Sequence, residues 1–388
     1  QDLFVVSGGN EFAGTDEPLR SRLYLNDGRG RLTRDLAGLP PLFGNGGCVA
    51  VADYDADGDQ DLFLGHRVAS RAYGRIPTSH LLRNEGKGRF VDVTNDVAPE
   101  VAQAGMVSGA LWLDVDGDSA LDLVVVGEWM PVRVFHQDKG RFTDRRSAGL
   151  DSSEGWWSSV TAADVDGDGS QDLVLGNLGR NAYVRASRGQ PATLHVGDFF
   201  GTGTVKQLLA FHKPDGRRYP MAGRDDLLKL MPALRSRYPS FASFGASRVE
   251  DILGEELAKA EVHRAYTLES AVALHRGNRF ELQPLPTEAQ FAPVYASVVD
   301  DFDGDGVRDV YVAGNLWGVT PMLGRYDASR GLLLRGKNGA LVPSAPAQSG
   351  MTIDGAVRAM AIVRRAGGGR LLAVARNNAT LQLFSLPR

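Results

Sequence analysis

The sequence predicts an all-β chain built from repeated strand, acidic loop, strand units. Three observations carry that reading. Asp recurs at offsets 0, 2, 4 and 8 in four copies, opening at Asp53, Asp114, Asp164 and Asp301. Each copy sits between short apolar runs; those that follow are Leu62-Phe63-Leu64-Gly65, Leu123-Val124-Val125-Val126-Gly127, Leu173-Val174-Leu175-Gly176 and Val310-Tyr311-Val312-Ala313-Gly314. Runs of this length, rich in Val and Leu and bounded by turn formers, read as strands. Hairpin signals then recur behind the loops, and Asp61 and Asp122 lie 61 residues apart, a period that suits one four-stranded unit.

The loops carry the chemistry. Carboxylates at alternate positions of a tight turn converge on one point, and a hard cation with several oxygen ligands makes that convergence favourable. The first site takes Asp53, Asp55, Asp57 and Asp61. The second takes Asp114, Asp116, Asp118 and Asp122, the third Asp164, Asp166, Asp168 and Asp172, the fourth Asp301, Asp303, Asp305 and Asp309. The carbonyl at position 7 of each loop, at Asp59, Ala120, Ser170 and Val307, adds one oxygen. An all-oxygen set points to Ca²⁺ rather than Zn²⁺ or Cu²⁺, and its carboxylate density disfavours Mg²⁺. The start of each loop is similar to an EF-hand, but the loop closes with Asp at position 9 and no Glu at 12, so flanking strands fit better than flanking helices. A solvated acidic turn is the plain alternative for one copy; four copies in one register favour about four bound calcium ions. The second copy has Ser119 where the others have Gly58, Gly169 and Gly306.

At these residues the chain resembles the FG-GAP/VCBS repeat family, and more closely the bacterial VCBS-repeat relatives of cartilage acidic protein. The likeness also covers Gly155-Trp156-Trp157-Ser158, Glu288-Ala289-Gln290-Phe291-Ala292-Pro293-Val294-Tyr295 and Gly324-Arg325-Tyr326-Asp327-Ala328. The resemblance implies an integrin-α-like β-propeller with calcium in its blade hairpins. It implies no activity.

The chain order then fills seven blades in one domain, residues 1–388. Asp2-Leu3-Phe4-Val5-Val6-Ser7-Gly8-Gly9 matches the segment after a calcium loop, so the chain starts inside a repeat. Leu23 to Leu32 is a hairpin turned by Asp27-Gly28 and Gly30. The second unit runs from about Gly47 to Thr94, the third from about Ser108 to Arg146, and the fourth, about 158 to 188, is compressed. The fifth opens with Asp198, which alone survives of the Asp grid and predicts a metal-free hairpin. Between about 224 and 262 the period becomes helical: Leu227, Leu228, Leu230, Met231 and Leu234 form one stripe, and Ser247-Arg248-Val249-Glu250 reads as a capping box. This is a helical insertion carried by the fifth blade. Strand signals resume at Tyr266 and Arg279, the sixth unit holds the Asp301 loop, and the seventh has Arg365 to Gly369 in place of an acidic turn, again without metal.

Bulk properties set limits. At 388 residues one propeller of six to eight blades, or two ordinary domains, can form a core. No run is long enough for a membrane helix. The single Cys48 excludes an intrachain disulfide. The loops take a large share of the 47 acidic residues, leaving the 43 Lys and Arg in excess elsewhere. Four Ca²⁺ would turn the net charge of −4 positive, which attracts acidic polymers; a solvated mixed-sign exterior is the plainer reading. Weak calcium sites fill where calcium is near millimolar, so an extracytoplasmic location is expected.

No Gly-x-Ser-x-Gly or phosphate loop occurs, and the seven histidines are scattered. The more suggestive pattern follows the second strand of each hairpin: Gly65-His66-Arg67, Gly127-Glu128-Trp129, Gly176-Asn177-Leu178 and Gly314-Asn315-Leu316-Trp317. In a propeller these positions share one rim, so Glu128, Trp129, Asn177, Asn315 and Trp317 are candidate ligand residues for a protein or glycan. The alternative is that Trp packs between blades and Asn holds turns. The function expected is a binding, adhesion or scaffold module; a polysaccharide-active propeller with its site on that rim is the alternative. Nucleic acid is not an expected partner. Incomplete first and last units also predict that an upstream segment or a partner strand closes the ring.

Overall fold

The computed structural model describes residues 1–145, 148–320 and 323–386; Arg146, the expected end of the third unit, lies outside them. Seven antiparallel sheets form among the described residues. The first joins β1 (Leu3–Val5), β2 (Arg22–Asn26) and β3 (Leu32–Asp35). The second runs through β4 (Asn45–Ala52), β5 (Asp61–Val68), β6 (His80–Asn84) and β7 (Phe90–Asp92). The third holds β8 (Met106–Leu113), β9 (Asp122–Met130), β10 (Arg133–Asp138) and β11 (Arg141–Asp144), with the short β12 (Gly155–Trp156) also paired to β9. The fourth opens with β13 (Ser159–Ala163) and β14 (Asp172–Gly176).

There the chain leaves the fourth sheet. β15 (Ala192–Gly197), β16 (Lys206–His212), β17 (Arg218–Pro220) and β18 (Glu261–Ala265) form a sheet of their own, with helical turns between β17 and β18. The chain then returns with β19 (Ala271–Arg276) and β20 (Arg279–Pro284), and β19 pairs with β14. Two sheets follow: β21 (Val294–Asp300), β22 (Asp309–Gly314), β23 (Leu332–Lys337) and β24 (Ala340–Ser344), then β25 (Val357–Arg364), β26 (Arg370–Arg376) and β27 (Gln382–Leu386).

This corrects the expected order in one place. Seven sheets are present, but not seven in series. The fifth unit is inserted within the fourth, and the fourth is not compressed: its outer hairpin is β19–β20, beyond the insertion. The physical reason is that β14 finds its partner after the whole of β15–β18 has been spelled out, so a linear reading gives that partner to a later unit. Tyr266 lies just past β18.

Apolar side chains from both faces of the strands fill the spaces between successive sheets. Phe63 and Leu81 meet Val107 and Phe135 between the second and third sheets. Val124 and Val134 meet Leu173 and Phe280 between the third and fourth, where Trp157 is fully buried. Val174 and Val272 meet Val310 and Leu334, and Ala296 and Tyr311 meet Val357 and Leu372. Strands buried on both faces need continuous apolar runs such as Val124-Val125-Val126. In the inserted unit, Leu227, Leu228, Val249 and Ile252 of the helical turns cover Leu208 and Ala210 of β16. The Val249–Leu253 helix is capped by Arg248 and Asp251, not by Ser247.

The inner strands pack in sequence, β4 on β8, β8 on β13, β13 on β21 and β21 on β25. The inserted sheet instead packs sideways, β18 against β9 and β12. Mostly β structure in antiparallel sheets stacked face to face around an axis is the architecture of a propeller. No helix among the described residues is long and apolar enough to cross a membrane.

Candidate metal centres and axial cavity

The four acidic loops share one backbone solution. The first Asp of each caps its own turn: Asp53 accepts from Asp57 N and Gly58 N at 3.1 and 3.0 Å, Asp114 from Gly117 N and Ser119 N at 2.7 and 2.9 Å. Asp164 accepts from Gly167 N and Gly169 N at 2.7 and 3.0 Å, and Asp301 from Gly304 N and Gly306 N at 2.6 and 3.0 Å. The turn needs positive φ near its end. Gly58, Gly169 and Gly306 supply it at 95°, 92° and 87°, and Ser119 adopts it at 72°. The second loop therefore keeps the shape despite its serine, at the steric cost a β-carbon pays there.

The last Asp of each loop is the first residue of a strand and is buried. It bridges the loop to the third strand of its sheet. Asp61 accepts from Tyr54 N and Asn84 N, Asp122 from Val115 N and Gln137 N, Asp172 from Val165 N and His275 N, and Asp309 from Phe302 N and Gly336 N. Burial raises the pKa of all four, Asp61 to about 6. A bound cation would offset that cost directly.

Carboxylate oxygens converge within 4.8 Å in each loop: Asp53, Asp55 and Asp57; Asp114, Asp116 and Asp118; Asp164, Asp166 and Asp172; Asp301, Asp303 and Asp309. Such clusters can hold a metal ion, and the all-carboxylate sets fit a hard cation. Basic groups on the third strand or beyond balance three of them. Arg276 bridges Asp166 and Asp168, and Arg335 meets Asp303 at 3.0 Å. Asp116 takes both Arg145, at 3.0 Å, and His136, at 3.3 Å. The Asp198 turn is built alike, with Thr202 N and Gly203 N on Asp198 at 2.8 and 2.9 Å. Phe200 and Thr202 occupy the alternate positions, so it offers one carboxylate.

The other end of the sheets is different. Each inner strand runs away from an axial cavity of about 810 Å³ toward its own loop, so cavity and loops lie at opposite ends. Where β4, β8, β21 and β25 begin, their pairing slips by one residue, and the residues left out of register are Gly47, Ser108, Tyr295 and Arg358. All four line the cavity, with Ser158 at the matching place before β13. A β-bulge re-aims a side chain, and here it turns Ser108, Tyr295 and Arg358 to the cavity, with Gly47 at the matching place in β4. The glycine ending the partner strand lets the backbones meet: a β-carbon at Gly314 would lie 1.8 Å from Pro293 O, and one at Gly176 2.2 Å from Val294 O.

Arg67 donates from Nη1 to Glu128 Oε1 at 2.9 Å, Tyr73 Oη to Glu128 Oε2 at 2.6 Å, and Trp129 Nε1 to Tyr73 Oη at 2.9 Å. Trp129 is buried with φ of 61° and its ring centroid is 5.3 Å from that of Trp156. The Arg358 guanidinium lies 4.2 Å from the Tyr295 ring centre.

Of the five rim candidates, the structure brings Glu128 and Trp129 together. Glu128 lines the cavity, and Trp129 supports it from beneath. Asn177 lines the cavity but is fully buried, its Oδ1 accepting from Leu178 N and Trp156 N. Asn315 is buried, its amide nitrogen donating to Ser329 O and Gly355 O at 2.8 and 3.0 Å. Trp317 is exposed outside the cavity, with Arg325 5.2 Å from its ring centre. Sequence reasoning passed over Tyr73, Trp156, Tyr295, Arg358 and Arg67. The signal for Arg67 was its place in the Gly65-His66-Arg67 copy of the rim pattern.

Residues 114–175, the third unit from its loop through the second strand of the fourth, match the family model described as FG-GAP-like repeat. The chain carries a repeat of the FG-GAP family, as the resemblance implied. No curated protein matches. Among solved structures, an Agrocybe aegerita lectin that recognises non-reducing terminal N-acetylglucosamine is 13% identical, with TM-score 0.44, covering 99% of this chain and 80% of that one. The Vibrio cholerae biofilm matrix protein Bap1 is 12% identical with TM-score 0.33, over 94% and 73%. Saccharomyces cerevisiae Sqt1 is 11% identical with TM-score 0.43, over 96% and 80%. At these identities and scores none of the three likenesses carries an argument about this chain.

Proposed function

We propose that this chain is one calcium-stabilised propeller unit that works outside the cytoplasm as a binding, adhesion or scaffold module for a glycan or protein. The observation that carries the proposal is the fourfold loop: each gathers carboxylates onto one point and buries its last Asp, an arrangement a hard cation relieves. With calcium in place, the ion holds each loop between the first two strands of its sheet. Asp53, Asp55, Asp57 and Asp61 and their counterparts in the other three loops supply the oxygens, with the carbonyls of Asp59, Ala120, Ser170 and Val307. The ions stiffen the loop end, and recognition falls to the opposite end, around Glu128 and Trp129.

The test is a binding screen of glycans and proteins run in calcium and in chelator, beside an assay for depolymerisation of the same glycans. Calcium-dependent melting with binding and no cleavage supports the proposal. Cleavage would replace it with the enzyme reading, and melting indifferent to chelator would remove the role of calcium.

The partner side includes a strand. β1 pairs only with β2 among the described strands, while Val363 and Leu383 of the last sheet are exposed. An open edge accepts another strand. A longer chain or a partner segment that pairs along β1 should raise the melting temperature and reduce self-association; equal melting with both forms monomeric would contradict this.

A further inference from the structure

The axial cavity has a composition that narrows its ligand. Its charged lining consists of Arg67, Arg358 and Glu128, a net positive set. Among the described residues Arg67 uses one nitrogen on Glu128, and Arg358 uses Nη1 on the carbonyls of Asn315 and Val357. Each guanidinium therefore keeps donors to offer. Arg358 lies over the Tyr295 ring, 4.2 Å from its centre, and both line the same cavity as the Arg67–Glu128 pair. Tyr295 and Trp156 add aromatic surface to the same walls.

These groups make different demands. Spare guanidinium donors call for an anion with paired oxygens, as a carboxylate has. Glu128 is an acceptor inside the same cavity. It repels a dense or doubly charged anion and welcomes hydroxyl donors. Aromatic faces favour a flat apolar surface, such as the C–H face of a sugar ring. One carboxylate, several hydroxyls and an apolar ring face describe an acidic sugar. We propose that the axial cavity binds a glycan through a uronic or sialic acid residue, its carboxylate held by Arg67 and Arg358 and its hydroxyls by Glu128. The proposal rests on reading the chain as a binding module and assigns the ligand class.

The placement of Tyr295 and Arg358 supports a built site. Both are the out-of-register residues of their strands, and so are Ser108 and Gly47. One register slip per inner strand produces a ring of residues aimed at a single space, where regular pairing would have turned those side chains into the packed layers between sheets.

The test uses the calcium-loaded chain and isothermal titration with trigalacturonate, its fully methyl-esterified form, N-acetylneuraminate, neutral maltotriose and a hexapeptide of Asp and Glu. At least one of the two acidic sugar probes should bind, at least tenfold more tightly than the ester and the neutral sugar, and more weakly as salt rises. Arg358→Gln and Arg67→Gln should each lower that affinity by about tenfold or more. Melting with and without chelator reads the loops separately, so a failure of the calcium reading leaves this result intact, and the reverse. Equal binding of acid and ester, preference for the peptide, or binding of neither acidic sugar would overturn the proposal. The ester comparison needs no variant, so it stands even where an arginine substitution impairs folding.

Discussion

The two ends of the inner strands solve opposite problems. At the loop end, like charges are packed together and held by backbone donors; nine consecutive residues supply all the carboxylates, and the third strand of the sheet adds one amide. At the cavity end, charges of both signs and aromatic rings arrive from several sheets, and each contributes one residue. The loop end gathers carboxylates that could hold a cation. The cavity end is already paired, Arg67 with Glu128 and Trp129 with Tyr73. On the proposed reading, stability belongs to one end and recognition to the other, and each can be perturbed alone.

The largest effect should come from removing calcium. At a concentration 100 times Kd each site adds roughly 2.7 kcal/mol, so chelation should lower the melting temperature steeply; scanning calorimetry with and without chelator measures this. A melting curve indifferent to chelator would break the comparison at its loop end.

Next is Trp129→Ala. Deleting a buried Trp costs about 3–5 kcal/mol, and it unseats Tyr73 and Glu128. Denaturant unfolding should show the loss, while calcium stoichiometry stays the same. A changed metal count would mean that the two ends are coupled.

Asp172→Ala separates structure from ligation within one loop. It strands the Val165 and His275 amides, at about 1–3 kcal/mol each, and should abolish the third site. Asp198→Ala, in the turn with one carboxylate, should lower stability slightly as a lost turn cap and leave calcium binding unchanged. Comparing their unfolding and calcium titrations sharpens the distinction between a turn and a site.

The smallest effect is Arg276→Ala. The guanidinium competes with a cation for Asp166 and Asp168. Removing it should tighten calcium at the third loop by a few-fold and leave calcium-free stability nearly unchanged, because the pair is partly exposed. Site-resolved calcium titration reads this; a weaker third site would contradict it.

How much was legible follows the same division. The loops could be read because Asp at alternate positions, Gly at the turn and flanking Val and Leu runs are local signals. Even Ser119 proved compatible with the turn. The inserted fifth unit was misplaced because β14 and β19 pair across it, and pairing partners leave no mark in a linear pattern. The register slips that aim Ser108, Tyr295 and Arg358 at the axis were equally hidden, since a bulge depends on two strands. The Gly late in each second strand, at Gly65, Gly127, Gly176 and Gly314, was visible as a pattern. Its reason, backbones in close approach, is visible only in three dimensions. The rim position of Asn177 and Asn315 suggests ligand contact, but the fold uses their amides to hold backbone.

The central claim is that the loop end is a set of calcium sites. Equilibrium dialysis in calcium buffer followed by elemental analysis of the folded chain tests it most directly. The account predicts about four calcium ions per chain with no zinc, falling by one in Asp172→Ala. Zinc in the loops, or no bound metal in excess calcium, would contradict it.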